Sequence, residues 1–216
     1  MATAQELLEE IAAEVRVCTL CDLCKGTKNG VPGEGSADAE VLFIGEGPGF
    51  HEDRQGRPFV GPAGQFLNEL LASIGLDRST VFITNVVKHR PPENRDPLPD
   101  EIAACGEYLS RQITALNPRV IVTLGRFSMA RFFPNAKIST IHGQAKKIDG
   151  RIVVAMFHPA AALHQSSLRQ TVEEDFKRAI PAALAEARRL ASEGKLGTPK
   201  DDQPDDSPPP QQLSLF

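Results

Sequence analysis

The stretch "VLFIGEGPGFHEDRQGRPFVGPAGQ", residues 41–65, decides the fold. It opens on an unbroken apolar run, Val41 to Ile44, and passes through Gly45 into a glycine-rich, charged segment. Strands buried on both faces of a parallel sheet read this way, and in such sheets the working groups gather where the strands end. Three similar runs follow: "VFITNVV" (81–87), "RVIVTLG" (119–125) and "IVVAMF" (152–157). Between them apolar residues recur at helical spacing. Residues 62–74 carry Phe66, Leu67, Leu70, Leu71 and Ile74. Residues 100–116 carry Ile102, Cys105, Leu109, Ile113 and Leu116, with Pro99 opening the segment and Pro118 following it. Residues 2–17, 126–133 and 171–193 also read as helices. This alternation predicts a three-layer α/β domain with right-handed crossovers.

Composition narrows the class. Of 216 residues, 41% are hydrophobic and 24% charged, which is ordinary for a globular protein. No apolar run approaches a membrane span. The start, "MATAQELLEEIAAEV", reads as an amphipathic helix and lacks the basic opening of a signal peptide. A cytoplasmic chain with reduced thiols is expected. The formal charge of −4 argues weakly against nucleic acid. Segment 196–216, however, holds four aspartates against Lys200, so the remainder stands near −1. Local clusters such as "KHRPPENR" (88–95) and "AKK" (145–147) can then decide partners. The division expected is a domain over 1–195 and a disordered acidic, proline-rich tail over 196–216. The tail ends in "QQLSLF", an apolar tip suited to a pocket on a partner.

Two constellations carry chemistry. "VCTLCDLCKG" (17–26) places Cys18, Cys21 and Cys24 together, and the only other cysteine is Cys105. In a reducing compartment such a cluster reads as a metal site. By ligand type, four thiolates, or three with an imidazole, would suit zinc. The second constellation lies at the strand ends. Glu46, Glu52, Asp53, Asn85 and His158 converge on one edge of the sheet, with Phe59 nearby and Gly45, Gly47 and Gly49 allowing close approach. An acid, an amide, an imidazole and an aromatic face suit a flat polar ligand such as a nucleobase.

"IGEGPGFHEDRQGRPFVGPAGQ", "ITNVVKHRPPENRDPLPDE" and "MFHPA" resemble the family 4 uracil-DNA glycosylases, an iron–sulfur family. The resemblance runs from about residue 8 to residue 183. It implies an α/β/α sandwich around a four-stranded, mainly parallel sheet. It also implies an enzyme that flips uracil out of DNA and hydrolyses its N-glycosidic bond, which starts base-excision repair. Phe59 would stack on uracil, Asn85 would read its polar edge, and His158 would face O2 and stabilise the departing anion. Gly45 and Gly47 would line the base pocket. Glu46 and Glu52 divide two roles between them, holding the attacking water and crowding uracil C5, with Glu52 favoured for the C5 side. Lys88 and Arg90, with Arg57, Arg95 and Arg169, are candidate phosphate contacts. Ala160 stands where other branches carry a serine that could contact the DNA backbone, and Leu163 is a candidate wedge.

The same resemblance implies a [4Fe–4S] cluster, with zinc as the rival. Cys18, Cys21 and Cys105 match the family's ligands. His89 stands in the slot of the remaining cysteine and is favoured over the extra Cys24 as fourth ligand. A uracil-trapping branch of the superfamily shares "KH" at this point but adds a basic loop with a nucleophilic histidine. "RPPENRDPLPDE" has neither, so turnover through water is expected. Gln212, Leu213, Leu215 and Phe216 resemble the bacterial sliding-clamp peptide, which implies a clamp partner for a monomeric enzyme working at the nucleoid. Two other readings stand beside this one: a broader deaminated-base glycosylase, and a non-catalytic, clamp-tethered DNA-binding module.

Overall fold

A computed structural model describes residues 2–196. Residues 197–216, and with them the Gln212–Phe216 peptide, lie outside the described residues. The chain runs α1 (Ala4–Arg16), β1 (Glu34–Gly35), β2 (Val41–Gly45), α2 (Phe50–Gln55), α3 (Pro62–Ala72), β3 (Phe82–Asn85), α4 (Pro99–Leu116), β4 (Val120–Leu124), α5 (Arg126–Ala130), α6 (Ile138–Ile141), β5 (Gln144–Ile148), β6 (Arg151–Met156), α7 (Pro159–His164) and α8 (Ser166–Ser192).

The four expected strands form the parallel centre, in the order β3-β2-β4-β6. Two further strands flank it antiparallel: β1 against β3 and β5 against β6. Successive side chains of a strand face opposite ways, so each central strand feeds two cores. Val41, Phe43, Val120, Val122, Val154 and Met156 meet Phe66, Leu67 and Leu70 of α3 and Phe176 and Ile180 of α8. Leu42, Ile44, Ile121 and Val153 meet Cys105, Leu109 and Ile113 of α4. The result is the three-layer sandwich. Helix α1 lies outside α4, joined through Ile11, Val15 and Tyr108.

The strand order reverses direction at β2, whose neighbours β3 and β4 follow it on opposite sides. Ligands of such sheets bind in the crevice beyond the strand tips at this point. The expected strand at 81–87 ends at Asn85, but its hydrogen bonding continues: Val86 and Val87 donate to the carbonyls of Gly45 and Glu46. That pairing holds the two loops together above the sheet.

Candidate active site

A cleft of about 430 Å³ opens beyond these tips. Its lining includes Glu46, Gly47, Glu52, Phe59, Asn85 and His158. Glu46, Glu52, Phe59, Asn85 and His158 therefore share one hollow, whereas Asp53, expected with them, does not line it: its Oδ1 accepts from the Lys28 and Asn29 amides, and Gly45 lies behind the lining.

Gly45 ends β2 where no side chain fits. A Cβ there would lie 2.6 Å from the Phe59 ring and would also strike Asn85 Oδ1. Phe59 has φ +50°, a left-handed conformation that costs an ordinary residue about 1 kcal/mol or more. Its neighbours hold it there. Arg78 donates to the carbonyls of Phe59 (3.0 Å) and Pro58 (2.6 Å). Glu52 Oε1 accepts from the amides of Val60 and Gly61, both at 2.8 Å. Its other oxygen accepts from the Gly49 amide at 3.1 Å. The Phe59 ring, thus seated, stacks near the His158 ring with centroids 5.5 Å apart and planes at 26°.

Asn85 is 1% exposed, and among the described residues its Oδ1 has no hydrogen-bond partner. A buried carbonyl without a partner is costly and calls for an explanation. His158 precedes α7, and its Nδ1 accepts from the Ala160 amide at 3.1 Å. With Nδ1 an acceptor, the proton of the neutral ring sits on Nε2. Burial holds the imidazole down to about 4, against the opposing pull of the Glu52 charge. Burial, helped by the charge of Asp96, pushes the Glu46 carboxyl up to about 6. The described hydrogen bonds leave the Glu46 side chain uncommitted.

The expected DNA-contacting cations sort differently. Lys88 is 0% exposed and drops out of that set. Its Nζ donates at 2.8 Å to Thr84 Oγ1, the Asn85 carbonyl and Gln112 Oε1, and burial lowers it to about 7. Sequence reasoning missed this inward turn, because residue 88 follows the strand at the point where Thr84 and Gln112 make a polar hole. Arg57 pairs with Glu34, Arg95 with Glu101, and Arg169 with Glu69 and Glu173. Among the described residues Arg90 hydrogen-bonds only the neutral Asn94 side chain, at 2.7 Å. Ala160 lines the cleft, and Leu163 is exposed on α7. Arg78 and Asn94 were also missed: Arg78 stands at no strand tip, and Asn94 lies within "KHRPPENR", a segment read for its cations rather than its amide.

Cys18, Cys21 and Cys105 lie close enough for each to affect ionisation of a neighbour. Burial first, then the charges of Cys18 and other groups, raise the Cys21 thiol; burial likewise raises Cys105, with Cys21 and Cys18 adding to it. The Lys88 amide donates to Cys105 Sγ at 3.4 Å. A hydrogen bond to a ligand sulfur is one of the devices that tune iron–sulfur sites. Both candidates for a fourth ligand are close by. Cys24 affects Cys21, and a Cβ at Gly30 would lie 3.1 Å from His89 Nε2 and against the Val15 carbonyl. Among the described residues, no three His, Cys, Asp or Glu side chains are gathered tightly enough for a single ion. By chemical type, three thiolates with an imidazole or a fourth thiolate are donors that an iron–sulfur cluster accepts.

An α/β sheet bearing a stacking ring, an orphaned amide, a neutral imidazole and an uncommitted carboxyl at its switch point defines a class: α/β proteins that take a flat, polar ring. The profile of the uracil DNA glycosylase superfamily matches residues 32–184. The chain is 49% identical to a type-4 uracil-DNA glycosylase of Archaeoglobus fulgidus over 183 residues, 80% of this chain and 92% of that protein. It is 46% identical to one of Thermotoga maritima over 184 residues, 83% and 96% of the two chains. A type-5 uracil-DNA glycosylase of Pyrobaculum aerophilum is 32% identical over 161 residues, 66% and 70% of the two chains. The chain belongs to the uracil DNA glycosylase superfamily, among its type-4 uracil-DNA glycosylases. Among the described residues no helix is long and apolar enough to cross a membrane.

Proposed function

We propose that this cleft receives a uracil flipped out of DNA and that the chain hydrolyses its N-glycosidic bond. The observation that carries the reading is the partnerless, buried Asn85 Oδ1 beside the Phe59 ring. Uracil offers what that atom lacks: N3–H donates to Oδ1 while the amide nitrogen donates to O4. Cytosine exchanges donor and acceptor at both positions and leaves two buried groups unmatched. Phe59 stacks on the ring. As the C1′–N1 bond breaks, its electron pair moves onto the base, and the Nε2–H of neutral His158 donates to the charge growing on O2. Such a donor contributes about 3 kcal/mol. Glu46, as carboxylate, orients water toward C1′ and accepts its proton when the new C–O bond forms. Glu52 already accepts from three amides. It therefore serves as a fixed wall on the C5 side rather than as a water holder.

Cys18, Cys21, Cys105 and His89 would hold a [4Fe–4S] cluster. When bound it would join α1, the loop after β3 and α4, a structural task. The Gln212–Phe216 peptide would dock a monomeric enzyme on a sliding clamp.

Uracil release from single- and double-stranded oligonucleotides tests the reading. His158→Ala and Asn85→Ala should each lose about 10²–10³-fold in kcat. Equal release of hypoxanthine would favour the broader glycosylase, and intact uracil DNA the non-catalytic module. Iron content and visible absorption of His89→Ala and Cys24→Ala, each against wild type, decide the fourth ligand.

A further inference from the structure

Eleven phenylalanines occur in the chain, yet among the described residues only Phe50 is markedly exposed, at 46%. It opens α2 at the mouth of the cleft, next to the lining residue Gly49. Two guanidinium groups lie over its ring: Arg54 with Cζ 4.8 Å from the centroid and Arg90 at 5.3 Å. Among the described residues neither is paired with a carboxylate. This sets them apart from Arg57, Arg95 and Arg169, whose charges are already met by glutamates. Arg90 is also tied to the cleft wall, since it bonds Asn94 and precedes Pro91, both of which line the hollow.

A half-exposed ring beside two guanidinium groups that no carboxylate neutralises presents an apolar surface and positive charge together. Nucleic acid supplies both complements, a base for the ring and phosphate for the guanidinium groups. The position selects which part. Withdrawing one nucleotide into the cleft breaks stacking on either side of it, so the neighbouring base on the same strand is the one left exposed at the rim. Leu163 rises from α7, which follows β6, whereas Phe50 and Arg90 follow β2 and β3. The two exposed apolar groups therefore flank the hollow from different ends of the parallel strand row.

We propose that Phe50, Arg54 and Arg90 form a second DNA-binding element, a platform that stacks an unpaired base adjacent to the flipped nucleotide and holds its phosphates. The platform rests on the uracil reading for its setting, but it can be tested without uracil. The probe is a short, unmodified single-stranded oligonucleotide, with binding followed by fluorescence anisotropy over a range of salt.

Phe50→Ala should weaken single-strand binding on the order of tenfold, with Phe50→Trp restoring it, and should affect an unmodified duplex far less, because its bases are already stacked. Arg54→Ala and Arg90→Ala should each flatten the salt dependence by somewhat under one unit of slope. Thermal melting of each variant separates loss of binding from loss of fold. If Phe50→Ala binds single strands as wild type does, or weakens single strand and duplex alike, the platform is refuted. If wild type binds in this way yet releases no uracil, the catalytic reading fails and the platform stands.

Discussion

Glu46 and Glu52 are six positions apart and line the same cleft, yet their surroundings give them opposite freedom. Glu52 spends both oxygens on backbone amides, while Glu46 is uncommitted and is pushed up to about 6 by burial. Only an ionised carboxylate can accept a hydrogen bond from water and then its proton. Below about 6, Glu46 takes a proton from solvent and that capacity is lost, so kcat should fall close to tenfold per pH unit on the acid side. His158, held down to about 4, is neutral throughout that window and contributes no step there. Glu46→Gln should lose about 10²–10⁴-fold and, above all, lose the acid limb. A single-turnover pH profile reads this directly. An acid limb near 6 that survives in Glu46→Gln would move the water-holding role elsewhere.

The elements that aim the site are α2, the 56–61 loop and α3, and Arg78 fastens them from outside. Its guanidinium holds the Pro58 and Phe59 carbonyls and is itself held by Glu34. Arg78→Ala should unfasten the ring and lower kcat/KM tenfold or more, since small displacements of a positioning group carry large rate costs. The decisive measurement is a double-mutant cycle with Phe59→Ala. If Arg78 works through the ring, its loss should matter little once the ring is gone; additive losses would contradict this. Arg78 was illegible in the sequence because its partners lie 19 and 20 residues away, in a loop of no repeating pattern. The four central strands were legible because burial on both faces demands unbroken apolar runs. Strand β5, "QAKKI", was not, since it is a mostly exposed edge with polar side chains. Helix α2, "FHEDRQ", has no apolar stripe to announce it; the Glu52 and Asp53 side chains instead tie it to the Gly49, Lys28 and Asn29 amides. Glu46, Phe59, Asn85 and His158 could be picked out because three of them stand at strand tips and the fourth shares their motif. Lys88 misled because a cation's sequence neighbours do not reveal which way it points.

At the scale of the molecule, the cysteine segment and the cleft rest on different helices but share seams: Leu8 and Leu23 pack with Leu42 and Ile44 of β2, and Asp53 of α2 accepts from the Lys28 and Asn29 amides. The cleft stands on the sheet and on the α3 and α8 core, whereas α1 and the Cys18–Cys24 segment are fastened to α4 through Ile11, Val15, Tyr108 and Cys105. They also meet in the loop after β3, where the Lys88 amide donates to Cys105 and, three residues on, Pro91 lines the cleft. Removing the proposed cluster should therefore loosen one region without melting the sheet. In iron-depleted protein, or in Cys18→Ser, amide exchange should quicken across residues 4–31 and 86–91, while β2, β4 and β6 keep their protection. Because Pro91 and Asn94 line the cleft and Arg90 adjoins them, KM for uracil DNA should rise more than kcat falls, since the proposed chemistry rests on Glu46, Asn85 and His158 at intact strand tips. Uniform loss of protection across all six strands would contradict this, because it would make the cysteine site a support of the sheet itself rather than a fastening between its outer helices and the loop after β3.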